Sequence, residues 1–143
     1  MLEINVKMLH DDAILPTHGS QYAAGVDLYT VEEYSVPSGG TILCKTGLAL
    51  QLPIGYEGQV RSRSGLAKDG IVVANSPGTI DCDYRGEVGV LLHNNGCWDK
   101  VIEKGTRIAQ LVVQRVPSIS FKVVETLTET SRGGGGFGSS GLR

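Results

Sequence analysis

The chain has 143 residues and a formal net charge of −2, with 41% hydrophobic and 20% charged residues. That length suits one domain with a real core, and the near-neutral balance excludes the global basic field of a nucleic-acid binder, so no nucleic-acid partner is expected. The longest apolar run falls far short of a membrane span, and MLEINVKMLHDD carries charges where a secretory signal needs an apolar block, so neither membrane insertion nor secretion is expected.

Residues 2–8 alternate Leu2, Ile4, Val6 and Met8 with Glu3, Asn5 and Lys7, the period of a half-buried strand. A polar loop follows through Asp11, Asp12, Pro16 and Gly19. AAGVDLYT at 23–30 predicts a strand after Gly25. Ser38-Gly39-Gly40 is a turn, strands follow at about 41–45 and 47–52, and Pro53-Ile54-Gly55 turns the chain into a strand at 56–62. Ser64 to Asp69 is the one helical stretch, with Ser64 as its N-cap and Gly70 as its stop. Strands are predicted again at 71–74, 79–83 and 87–93, then, after the Asn94-Asn95-Gly96 turn, at 98–102, 106–116 and 119–126. Many short strands, frequent turns and almost no helix predict an all-β jelly-roll sandwich or distorted barrel over 1–127. From Thr128 the composition changes to TETSRGGGGFGSSGLR, which by itself reads as a flexible Gly/Ser-rich arm over 128–143.

The chemistry is concentrated at 75–87, NSPGTIDCDYRGE. An amide (Asn75), two carboxylates two apart (Asp81, Asp83), a phenol (Tyr84), an arginine (Arg85) and a third carboxylate (Glu87) sit between two turn signals. In a strand Asp81 and Asp83 share one face, and Ile80, Cys82 and Tyr84 the other. RSRSGLA at 61–67 sets Arg61, Arg63 and Ser64 at a helix start, where free N–H groups and forked cations suit phosphate. RGGGGFGSS, from Arg132, offers a second anion-binding backbone, two serines and an aromatic, Phe137. GTRIAQL at 105–111 puts Arg107 and Gln110 among apolar residues, and Asp27 stands among apolar neighbours at a strand start. Each stretch alone also suits a plain reading: a polar surface hairpin, a Ser-capped helix, a linker or RGG-like tail. The histidines are scattered. Cys44, Cys82 and Cys97 form no CxxC pair, which argues against a disulfide framework or zinc site and for the cytoplasm or another reducing interior.

Five stretches, in order, resemble the motifs of the trimeric deoxyuridine triphosphatases (dUTP nucleotidohydrolases): AGVDLYT at 24–30, RSGLA at 63–67, NSPGTIDCDYRGE at 75–87, GTRIAQL at 105–111 and RGGGGFGSSG at 132–141. The resemblance covers nearly the whole chain. It implies a jelly-roll subunit in a C3 homotrimer with three active sites, each shared by all three subunits, converting dUTP to dUMP and pyrophosphate with Mg²⁺. That reaction would keep uracil out of DNA and supply dUMP. By the same resemblance Asp81 activates the attacking water, and Asp27 holds metal-bound waters. Arg63, Ser64, Gly65, Gln110, Arg132, Gly138, Ser139 and Ser140 contact phosphates. Asn75, Gly78, Ile80, Cys82, Tyr84 and Phe137 contact base and sugar, with Phe137 closing over the uracil as the arm orders. Three residues depart from the family's usual pattern: Val26, Thr106 and Ser140. Trp98 lies in no motif and is expected in the core or at a subunit contact. Two rivals remain at this point, a dCTP deaminase on the same fold and a non-catalytic trimeric binding module.

Overall fold

The computed structural model describes residues 2–136 and 139. Its strands are β1 (Asn5–Met8), β2 (Thr17–His18), β3 (Val26–Tyr29), β4 (Tyr34–Val36), β5 (Thr41–Gln51), β6 (Tyr56–Arg61), β7 (Ile71–Val73), β8 (Gly78–Ile80), β9 (Glu87–Asn94), β10 (Lys100–Ile102) and β11 (Arg107–Arg115). One helix, α1 (Ser64–Lys68), sits between β6 and β7. The strands form a four-stranded sheet, β1-β5-β9-β7, a five-stranded sheet, β2-β3-β11-β6-β8, and a small β10-β4 ladder, and every pairing is antiparallel. This is the jelly-roll sandwich that the pattern of short strands predicts.

The core lies between the sheets, because alternation sends one side of each strand inward. Val88, Val90 and Leu92 on β9 face Leu28, Val60 and Leu111 from the five-stranded sheet, and all six are buried in one cluster. Each such side chain contributes about 1.5–3 kcal/mol by leaving water. Cys44 is fully buried in the same cluster, and burial pushes its thiol up to about 12, so it stays an inert hydrophobe.

Several predicted elements differ. The two strands expected at 41–45 and 47–52 are one strand, β5, broken by a bulge at Gly47, whose φ is +67°. Ser64 is not the N-cap of α1. Arg63 holds that position, without a side-chain cap, and Ser64 is the first helical residue. The strand expected at 79–83 ends at Ile80, and the Tyr84 N–H closes a turn onto the Asp81 carbonyl. The expected shared face of Asp81 and Asp83 is therefore lost to turn geometry. β1 begins at Asn5 rather than at residue 2, and the two short strands β2 and β4 carry too few residues to show a period. The strand expected at 119–126 is absent within one subunit. Ile119, Phe121 and Val123 are 71%, 94% and 97% exposed there. Trp98 is 81% exposed, which removes its core reading.

Candidate functional site

Two separate constellations gather the candidate site residues. The first is a cradle on the outer face of the five-stranded sheet. Thr17, Gln110 and Arg61 fall into register with Asp27 across β2, β3, β11 and β6, so their side chains share a face. Asp27 is 8% exposed, and its two carboxylate oxygens accept from Arg63 Nε at 2.8 Å and Arg107 Nη1 at 3.2 Å. Arg63 also donates to the Arg107 carbonyl at 3.2 Å, and Gln110 Nε2 donates to the Ser62 carbonyl at 2.9 Å. Strict alternation would send Arg107 and Gln110 to opposite faces. A bulge between Arg107 and Ala109 brings both to the Asp27 side. Arg107 thus joins the cradle, a membership that the sequence reading missed because alternation gave no signal for it.

The cradle lines a cavity of about 340 Å³ with Gly25, Asp27, Arg63, Ser64, Gly65, Arg107 and Gln110 among its walls. The site is built to admit an anion. Ser64 stands at the N-terminus of α1, and its hydroxyl is not used as a cap. A Cβ on Gly65 would meet nothing within 4 Å, so open space lies over the first helical N–H groups. A Cβ on Gly25 would lie 3.0 Å from Gln110 Oε1, so glycine there lets the amide lie against β3.

The second constellation is the turn after β8. Thr79, Asp81, Tyr84 and Glu87 line a cleft of about 180 Å³. Asp81 is exposed. The Tyr84 phenol donates to the Glu87 carbonyl at 3.0 Å, and Arg85 Nη1 donates to the carbonyls of Cys82 and Tyr84 at 2.7 and 2.8 Å. Ile80 is buried in the core, so only its backbone faces outward, and Cys82 packs partly against the same core. Gly78 is buried beneath Asn75, where a Cβ would lie 3.1 Å from the amide nitrogen.

Within one chain these constellations do not meet. Gly58 pairs with Ile80 and Val60 with Gly78, so β8 ends beside the entry of β6, whereas Arg63 follows its exit. From Gly58 to Arg63, at about 3.3 Å per residue, is roughly 16 Å, and Asp27 lies further across the sheet. Among the described residues of the arm, the hydrogen bonds are local. Arg132 Nε donates to the Gly135 carbonyl at 2.9 Å, and the Ser139 N–H donates to the Gly136 carbonyl at 3.0 Å, both local turns. Phe137, Gly138 and Ser140 lie outside the described residues. Among the described residues no group of three His, Cys, Asp or Glu side chains is placed to hold a metal ion, and no helix is long and apolar enough to cross a membrane.

A family model described as dUTPase matches residues 11–141. The chain is 50% identical to the deoxyuridine 5'-triphosphate nucleotidohydrolase of Syntrophotalea carbinolica, over 99% of this chain and 98% of that protein. It is 47% identical to the enzyme of the same name from Clostridioides difficile, over 99% of this chain and 100% of the relative. Among solved structures, the dUTPase of Staphylococcus bacteriophage 80alpha with dUPNHPP superposes with a TM-score of 0.92 at 29% identity, covering 98% of this chain and 99% of that one. The cradle, the turn after β8 and the glycine-rich arm therefore stand in a chain that belongs to the dUTPase family.

Proposed function

We infer that the chain hydrolyses dUTP to dUMP and pyrophosphate, and the observation that carries this reading is the cationic cradle around Asp27. A triphosphate needs dense, preorganised positive charge. Asp27 holds Arg63 and Arg107 side by side, with the α1 N–H groups and the Ser64 hydroxyl next to them. Gln110 supplies a further amide. Water attacks the α-phosphorus in line, Asp81 takes its proton, and the bond to the oxygen bridging toward the β-phosphorus breaks. Pyrophosphate carries the electron pair away into the cradle. Most of the acceleration is positioning and charge neutralisation.

The donor set suits magnesium held mainly by phosphate oxygens and water rather than by a protein cage. Each Asp27 oxygen is engaged by one arginine, which leaves lone pairs for metal-bound water. When bound, the ion neutralises triphosphate charge. Arg132, Gly138, Ser139 and Ser140 complete the phosphate contacts from the arm.

Uracil presents an acceptor, a donor and an acceptor in order. Asn75 and the backbone around Gly78, Ile80 and Cys82 can match that order. Cytosine inverts part of it, leaving polar groups unpaired at a cost of about 1–3 kcal/mol each. Tyr84 packs against the sugar, where a 2′-hydroxyl would clash, and Phe137 closes over the base.

Asp81 and Arg63 are held too far apart to act on one phosphate from a single chain. A closed three-fold ring, in which each contact joins two different patches, brings the turn after β8 of one copy to the cradle of the next. Two surfaces support such a homotrimer. Ile119, Phe121 and Val123, two residues apart, are all exposed. An apolar trough of about 380 Å³, walled by Ile4, Val6, Pro16, Val26, Leu111 and Val113, lies open.

The deciding experiment measures pyrophosphate release from dUTP, dCTP, dTTP and UTP with magnesium and with EDTA. Fast, metal-dependent release from dUTP alone is expected. Ammonia from dCTP would make the chain a deaminase, and no release from a folded trimer would make it a binding module.

A further inference from the structure

Glu87 opens β9, at the far end of the polar turn after β8, but has no part in the reaction derived above. Its Oε1 accepts the Gly47 N–H at 2.8 Å. Gly47 lies in the β5 bulge: Lys45 pairs with Gly89 and Ala49 with Glu87, so three β5 residues stand opposite Val88 alone. The ladder cannot satisfy that backbone. Thr46, fully buried, donates its hydroxyl to the Val88 carbonyl at 2.6 Å and accepts the Leu48 N–H at 3.3 Å. The Glu87 carboxylate takes the Gly47 N–H. From the other side the Gly47 carbonyl accepts the Leu9 N–H at 2.7 Å. The bulge is clamped from both directions.

The backbone of the same glutamate holds Tyr84. Its carbonyl accepts the Tyr84 phenol at 3.0 Å, and the tyrosine ring folds over Gly86, where any Cβ would run into the phenol. We propose that Glu87 is a positioning residue that ties the seat of Tyr84 to the β5 bulge and so sets how closely Tyr84 approaches the sugar of the nucleotide. This rests on the reading of Tyr84 as the sugar contact. The link is short: one residue supplies a side-chain acceptor to a left-handed glycine and a carbonyl to the phenol, so a shift at the bulge moves the phenol's partner.

The test compares Glu87→Gln, Glu87→Asp and Glu87→Ala in the full-length protein. Glutamine keeps the reach and an acceptor oxygen but loses the charge. Aspartate keeps the charge and falls one methylene short of Gly47. The kcat/KM ratio of dUTP over UTP is expected to stay within about threefold for Glu87→Gln and to fall about tenfold for Glu87→Asp and Glu87→Ala. Amide hydrogen exchange at Gly47 and at residues 82–86 should rise in the same two variants and not in Glu87→Gln. An unchanged ratio, with faster exchange confined to Gly47, would overturn the proposal. So would the reverse order, with Glu87→Gln impaired and Glu87→Asp normal, because charge and not reach would then matter. Should Glu87→Ala not fold, the glutamine and aspartate pair still decides. Tyr84→Ala, measured alongside, separates the two readings. If it leaves the ratio untouched, Tyr84 is not the sugar contact, and exchange at residues 82–86 decides the coupling alone.

Discussion

Asp27 and Asp81 are both carboxylates beside strands of the same sheet, and the fold treats them in opposite ways. Asp27 is buried, with both oxygens held by arginines from two other parts of the chain. Asp81 is exposed at a turn, with its neighbours tied by bonds that span one to three residues. The buried carboxylate is fixed as scaffold, and its charge serves to aim two guanidiniums. The exposed one is open to solvent, as the base proposed above requires. A group that must take a proton cannot spend its acceptors on structure, whereas a group that positions cations must.

Removing the free carboxylate gives the largest expected effect. Asp81→Asn should lower kcat about 10³-fold while calorimetric affinity for a non-hydrolysable dUTP analogue changes little; near-normal turnover would remove Asp81 as the base. The separation of the two constellations is tested by mixing. Chains with Asp81→Asn and chains with Arg63→Ala, each inactive, should recover about a quarter of wild-type turnover after co-refolding at equal ratio, since one site in four draws both intact halves. No recovery would place both halves in one chain.

Truncation after Ser131 should leave a folded trimer by light scattering, with kcat/KM lowered about 10²-fold by loss of the closing arm. Loss of assembly would make the arm structural. The smallest effect sharpens the helix correction. Ser64→Ala should lower kcat/KM about tenfold but shift stability by less than about 0.5 kcal/mol, because Ser64 caps nothing. A melting-temperature loss typical of a removed cap would contradict the assignment of Arg63 to that position.

Alternation holds where one face meets the core, as along β9. It failed wherever the backbone leaves strict period two. The bulge at Gly47 fused two predicted strands into one, the bulge after Arg107 put that arginine into the cradle, and the turn at Cys82 cancelled the shared face of Asp81 and Asp83. The exposed row Ile119, Phe121 and Val123 reads as a strand in sequence because its pattern is that of a strand, but among the described residues it pairs with no other strand.

By itself the sequence determined the class of fold, the family and the chemical inventory, because periodicity, turn residues and motif order are local properties of the chain. The tertiary structure decided which groups meet. Only the pairing of β3, β11 and β6 shows that Asp27 orients Arg63 and Arg107. Only the antiparallel pairing of β6 with β8 shows that Asp81 lies beside the entry of β6, at the opposite end from Arg63. Both facts depend on strand register, which is set by contacts between residues far apart in sequence.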